Sequence, residues 1–313
     1  MNLQTLPEMQ KSAERVDSVG ALLRGLIDYA GLFPPASLAM APAVAHYDKY
    51  SRSDWNGILG RFVVPVARLG EFEQALAALP TSTSEANWRL SVLTGTDVVA
   101  DLAGIREFNA RTAVSGPLSR AVVDSVEMKV ASPEEISRFS GIIPADLTTY
   151  FEVPQSSWAE CIAAMAAFGR RAKIRTGGET AEKFPSPESV IEFIRLCAAA
   201  NVPFKATAGL HHPLRSVHRF TYQPESASGI MHGFINLFLA AAFLRTGMEA
   251  ALAVQLLEEQ SPQAFLFERD EAGWRQYRLS RREIAAARQN FAISFGSCSF
   301  TEAIDDLHSL HLL

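Results

Sequence analysis

Eight short runs of apolar or alternating residues, most of them about thirty residues apart, constrain this chain more than any other feature. They are Leu26–Ala30, Arg61–Val66, Arg89–Thr94, Val126–Val130, Tyr150–Val153, Ala172–Thr176, Phe204–Ala208 and Phe291–Phe295. The spacing is that of a strand followed by a helix. Helix starts are marked between the runs. Ser132-Pro133-Glu134-Glu135, Ser186-Pro187-Glu188 and Ser280-Arg-Arg-Glu283 each put a capping hydroxyl ahead of a helical turn, with proline or glutamate where a first turn favours them. Strands alternating with helices imply a parallel sheet, and eight of them suggest an α/β protein of the closed (β/α)8 TIM-barrel type. No GxGxxG follows the early runs, which argues against an open dinucleotide-binding sheet.

One interval breaks the rhythm. About eighty residues separate the seventh and eighth runs. They contain an apolar helix around Met231–Leu244, a second helix around Glu249–Glu259, and a hairpin in FLFERDEAGWRQYRLS turning at Asp270–Gly273. We read residues 1–313 as a single barrel domain carrying a helical plus hairpin insertion, 214–288, that covers one barrel end or forms an oligomer contact.

Composition bounds the function. Net charge is −5, so no basic surplus exists to neutralise phosphates along a nucleic acid. The most apolar run, Phe234–Leu244, is about half a membrane span and carries Asn236, which predicts a buried helix and no membrane partner. The first residues, MNLQTLPEMQKSAERVD, show no hydrophobic signal region. Cys161, Cys197 and Cys298 form no CxxC and read as reduced, buried thiols, so a cytoplasmic location is expected.

The chemistry lies in the alternation. Parallel strands are usually buried on both faces and continuously apolar. Here Lys173 and Arg175 alternate with Ala172, Ile174 and Thr176, and Lys205 and Thr207 with Phe204, Ala206 and Ala208. Glu127 and Lys129 alternate with Val126, Met128 and Val130, and Tyr150 and Glu152 with Phe151 and Val153. Outward positions of a barrel must pack on helices, so the charged sets point inward, together with Asp28. Buried charges persist as a paired network, a solvated active site, or both. A lysine close to other cations has a lowered pKa and becomes an amine nucleophile, which suits Schiff-base chemistry at Lys173 with Lys205 beside it.

These strand ends resemble the deoxyribose-phosphate aldolase group of class I aldolases. That family's sixth strand carries Lys-x-x-Thr-Gly, matched by Lys173-Ile-Arg-Thr176-Gly177. Its seventh reads Lys-Ala-x-Gly-Gly-Ile-Arg, against Lys205-Ala-Thr-Ala-Gly209-Leu-His211. Its eighth ends in Phe-Gly-x-Ser-Ser, against Phe295-Gly-Ser-Cys-Ser299, and its first reads Ile-Asp-His-Thr-x-Leu-Lys-Pro, against Ile27-Asp28-Tyr-Ala-Gly-Leu-Phe-Pro34. A fourth-strand aspartate of the family falls at Glu127. The resemblance implies that Lys173 forms the Schiff base, that Lys205 lowers its pKa, and that Glu127 belongs to the proton relay. The chain departs from the pattern at Arg175, at Ala208, at His211, at Thr148 where the family has a lysine, and in the insertion. The departures favour a small anionic carbonyl compound held by Arg175 over deoxyribose phosphate.

Other residues complete the expected site. Gly177, Gly178 and Gly209, with Ser297 and Ser299 in the loop after the eighth strand, present backbone amides that suit a phosphorylated substrate or serve as tight turns. Asp28, Glu152, Thr207 and His211 would contact substrate. No cofactor and no metal is expected. Two other readings remain open: a metal-dependent isomerase or hydrolase using His211 or His212 with Glu127 or Glu152, and a non-catalytic barrel that binds a metabolite or a partner protein.

Overall fold

The computed structural model describes residues 17–80, 87–113 and 121–313. The reading of the N-terminal segment lies outside them for residues 1–16.

Eight parallel strands close into a barrel: β1 (Ile27–Tyr29), β2 (Leu59–Pro65), β3 (Trp88–Leu93), β4 (Ala121–Lys129), β5 (Thr148–Glu152), β6 (Arg171–Arg175), β7 (Phe204–Thr207) and β8 (Ala292–Ser297). β1 pairs with both β2 and β8, which leaves no free edge. The alternation explains why this sequence closes. Ala172, Ile174, Phe204 and Ala206 are buried on the helix-facing side. Lys173 stands opposite Lys205, Glu152 opposite Lys173, and Lys129 opposite Glu152 in the ladders, so the charged row faces the axis.

The helix starts fall where the sequence marks them. Ser132 and Ser186 accept hydrogen bonds from the amides of Glu135 and Ser189. Ser280 and Glu283 form a reciprocal capping box at the start of helix Arg281–Asn290.

Between β7 and β8 the apolar run forms helix Phe234–Arg245, packed against helices Pro187–Ala199 and Arg281–Asn290 and touching β8. Its all-round apolarity reflects burial among helices, and no helix among the described residues is long and apolar enough to cross a membrane. Asn236, the polar exception, donates to the carbonyls of Leu256 and Glu259, both at 2.8 Å, and accepts from the Arg215 amide at 3.1 Å. It therefore satisfies orphan carbonyls at the end of helix Ala250–Glu258. Arg288 fastens the barrel base in a similar way, donating to the carbonyls of Leu22, Arg24, Ala292 and Ile293 beneath the Phe238 ring.

The expected hairpin is a three-stranded meander, Phe265–Phe267, Glu271–Trp274 and Tyr277–Ser280. The residues read as its turn, Asp270–Gly273, instead largely form the central strand, because Gly273 lies flat between Leu266 and Arg278. A second ribbon, Ser216–Arg219 with Ser228–Met231, follows β7 and was not evident in the sequence.

Candidate functional site

The inward-facing polar rows of seven strands converge on one buried network. Deep within it lies Lys205 on β7, whose side chain is 1% exposed. Lys205 Nζ donates to Asp28 Oδ2 at 2.5 Å and Glu127 Oε1 at 2.7 Å, and lies 5.5 Å from the centre of the Tyr150 ring. Asp28 also accepts from Ser294 Oγ and from the Arg61 amide, each at 2.7 Å. Glu127 also accepts from Ser91 Oγ at 2.7 Å. Burial alone would lower the Lys205 pKa; the facing Asp28 and Glu127 carboxylates overcome it and raise the group above the ordinary lysine range. Burial would raise Glu127, yet Lys173, Lys205 and the hydrogen bonds from Lys205 and Ser91 hold it well below the usual carboxylate range.

Lys173 is held differently. Its ammonium lies 2.9 Å from both Glu127 Oε2 and Glu152 Oε2. The approach is off-axis for Glu152, whose buried Oε2 receives no directed hydrogen bond among the described residues. Lys205 is thus locked by aligned bonds, whereas Lys173 is held by two close ion pairs, the one to Glu152 off-axis. Lys173 and Lys205 are register partners on adjacent strands, as expected, but their ammonium groups are bridged by a carboxylate. Glu127 stands between them and takes one ammonium on each oxygen. The deep network therefore sets two ammonium groups against three carboxylates. Arg175 and Lys129 reverse that balance at the rim, 3.8 and 3.9 Å from Glu152 Oε1 with side chains 45% and 73% exposed.

A cavity of about 480 Å³ opens above these groups at the C-terminal ends of the strands. Glu127, Lys173 and Lys205 form its floor, and Lys129, Arg175 and Lys183 contribute to its walls. Thr207, Gly178, Gly209 and His211 also line it, as expected. Asp28, expected to touch substrate, lies buried beneath Lys205 instead.

The glycines and serines serve the loops. Gly209 has φ +74°, and a Cβ built on it would sit 2.6 Å from Gly177 Cα, so the loops after β6 and β7 touch backbone to backbone. Thr176 Oγ1 ties the same loops together by donating to the Ala208 carbonyl at 2.7 Å. Ser297 Oγ donates to the Ser299 carbonyl, and Ser299 Oγ accepts from the Glu302 amide. The hydroxyls of Ser297 and Ser299 are therefore spent within the turn that starts helix Thr301–Ser309.

The histidines face that helix. His211 Nδ1 pairs with Glu302 at 3.1 Å and His212 Nδ1 with Asp306 at 2.6 Å, while the His212 and His218 rings stack at 3.3 Å. No three His, Cys, Asp or Glu side chains converge as a metal-binding set among the described residues, so His211 and His212 do not join Glu127 or Glu152 in one. Cys161, Cys197 and Cys298 are buried and free. Burial raises the Cys298 thiol, which does not mark it as a ready nucleophile.

Sequence reasoning missed Ser91 and Ser294; Tyr150 it set on the inward face with Glu152 but gave no part in the site. The first two were readable in principle, because Ser91 alternates with Leu90 and Val92 in RLSVL, and Ser294 with Ile293 and Phe295. No protein-family model matches this chain, and no curated protein matches it significantly.

Proposed function

We propose that this barrel is a class I aldolase-like lyase, with Lys173 as the amine that forms a Schiff base with a small anionic carbonyl compound. The observation that carries the reading is the unequal hold on the two lysines: Lys205 is fixed by directed hydrogen bonds, while Lys173, at the cavity floor, is held by charge beside a carboxylate oxygen with no hydrogen bond.

The chemistry assigns a role to each group. Lys173 passes a proton to Glu152 and its lone pair attacks the carbonyl carbon. Glu127 is a poor base, since two ammonium groups keep it ionised. The carbinolamine takes a proton on its oxygen and leaves water and a protonated imine. Removal of a proton from the substrate's β-hydroxyl breaks the adjacent carbon–carbon bond. The electron pair flows to the imine nitrogen, giving an enamine and releasing an aldehyde. Protonation of the enamine carbon and addition of water return the amine and the second carbonyl product. Lys205, Asp28 and Ser294 keep Glu127 in place throughout, and Arg175 and Lys129 meet the substrate's negative charge.

Borohydride trapping followed by peptide mass mapping tests this. Incubation with aldehydes and 2-oxo acids should give a reduced adduct on the peptide carrying Lys173, absent from Lys173→Arg. No adduct across the panel, or adducts confined to exposed lysines, would overturn the assignment.

A further inference from the structure

The cavity walls carry information about the substrate beyond its charge. The arc formed by β1 to β3 is apolar, presenting Phe33, Pro34, Val63 and Leu93. In an eight-stranded barrel this arc lies across the axis from β5 to β7. The ribbon after β7 adds Phe220, which packs on Phe184 with ring centres 5.1 Å apart, and Met231. Arg175 stands on the other side, on β6, with Glu179 and Lys183 from the loop after it, and Lys129 stands at the boundary between the two faces, on β4 next to β3. The cavity is therefore two-faced across its width.

Two further observations narrow the ligand. Thr207 carries the one hydroxyl, and no Asn or Gln amide, among the described residues that line the cavity. Along the apolar arc the hydroxyls of a polyhydroxylated sugar would lose water and meet no hydrogen-bond partner. A phosphate seated on the loop after β8 would need that loop's amides, whereas the Glu302 and Ser299 amides are taken by Ser299 Oγ and Ser297 Oγ. Gly177 and Gly209 pack on each other.

We infer that the substrate is a monocarboxylate whose other end is apolar, a 4-hydroxy-2-oxo acid with an aliphatic or aryl substituent whose one hydroxyl is the group that cleavage deprotonates, and not a sugar phosphate. The inference rests on the lyase reading for the carbonyl, and on the cavity walls alone for the carboxylate and the apolar end. The carboxylate sits against Arg175 and Lys129, and the apolar end lies along Phe33, Val63 and Leu93.

Calorimetric binding with two probes separates these parts. The first, 3-phenylpropionate, has the carboxylate and the apolar end but no carbonyl, so imine formation does not affect it. The second is glycerol 3-phosphate. The carboxylate should bind at least ten-fold more tightly than the phosphate. Arg175→Gln and Lys129→Gln should each weaken it by about ten-fold, and Phe33→Ala by several-fold. Two rim variants are used so that a folding defect in one, visible in its circular dichroism and melting, leaves the other informative. Tighter binding of the phosphate, no millimolar binding of 3-phenylpropionate, or wild-type affinity in both rim variants would overturn the inference. Binding of 3-phenylpropionate without any borohydride adduct from phenylpyruvate would support this substrate class and sink the Schiff-base reading.

Discussion

Replacing Lys205 with methionine removes one ammonium from between two carboxylates in a site that is almost fully buried. Lys205 Nζ lies 2.5 Å from Asp28 Oδ2 and 2.7 Å from Glu127 Oε1, and all three side chains are at most 3% exposed. Breaking a buried ion pair from one side costs about 3–5 kcal/mol, because the remaining charge keeps its desolvation penalty and loses its partner. Unfolding entropy of about 2.1 cal/mol/K per residue gives roughly 0.7 kcal/mol/K for 313 residues. A loss of about 4 kcal/mol therefore lowers Tm by about 6 °C. The sign with pH follows from the two shifts. Glu127 is depressed, so its contribution is present above the ordinary carboxylate range and lost as pH falls through its low folded value. Lys205 is raised, so its contribution is present below the ordinary lysine value and lost as pH rises through its high folded value. The network is at full strength between about pH 5 and pH 10. In Lys205→Met, Glu127 keeps one of its two ammonium partners and protonates more easily, so the deficit is larger at pH 8 than at pH 4.5. Urea denaturation of both proteins at the two pH values measures this. The double variant Lys205→Met/Asp28→Asn should recover part of the loss, since it removes an orphaned charge. A deficit below about 1 kcal/mol at pH 8, or one that grows on acidification, would refute the reasoning.

Three further outcomes follow from other parts of the molecule. Gly209→Ala forces a Cβ against Gly177 Cα at a residue with φ +74°, and should cost at least about 2 kcal/mol; Gly25→Ala, at φ +55° with open space around it, should cost about 1 kcal/mol, as read from thermal melts. Burial, with Arg215 adding to it against the Pro185 carbonyl, pulls His232 down to about 4, so the unfolded chain takes up a proton that the native fold refuses between the ordinary histidine value and that one; the advantage of wild type over His232→Gln should shrink by about 2 kcal/mol from pH 7 to pH 5 in denaturant titrations. Asn236→Ala strands the carbonyls of Leu256 and Glu259 and should cost about 2 kcal/mol; hydrogen exchange should then rise first in helix Ala250–Glu258.

Much of the barrel was legible because two periods disagree along the chain. Strands with a two-residue period of charge against apolar residues, as in AKIR and VEMK, cannot be helices, and their polar faces have nowhere to point but the axis. The caps at Ser132, Ser186 and Ser280 were legible because capping is local chemistry. What was hidden depends on neighbours far along the chain. The close approach of Gly177 and Gly209 joins two loops, and nothing within either loop reveals it. Glu127 separates Lys173 from Lys205 because its side chain reaches across strands, which alternation cannot show. The ribbon strands Ser216–Arg219 and Ser228–Met231 are four residues each and half exposed, too short and too mixed to carry a period. In EAGW, Gly273 suggested a turn but fills a place in a strand where Tyr277 and Arg278 leave no room for a Cβ.

Oxygen exchange tests the claim about Lys173 most directly. Imine formation expels the carbonyl oxygen as water, and hydrolysis returns an oxygen taken from solvent. Phenylpyruvate labelled with oxygen-18 at the ketone should lose its label many times faster with the wild-type protein than in buffer, and at the buffer rate with Lys173→Arg. Label lost no faster with the wild-type protein than in buffer, or equal exchange by both proteins, would contradict a Schiff base at Lys173.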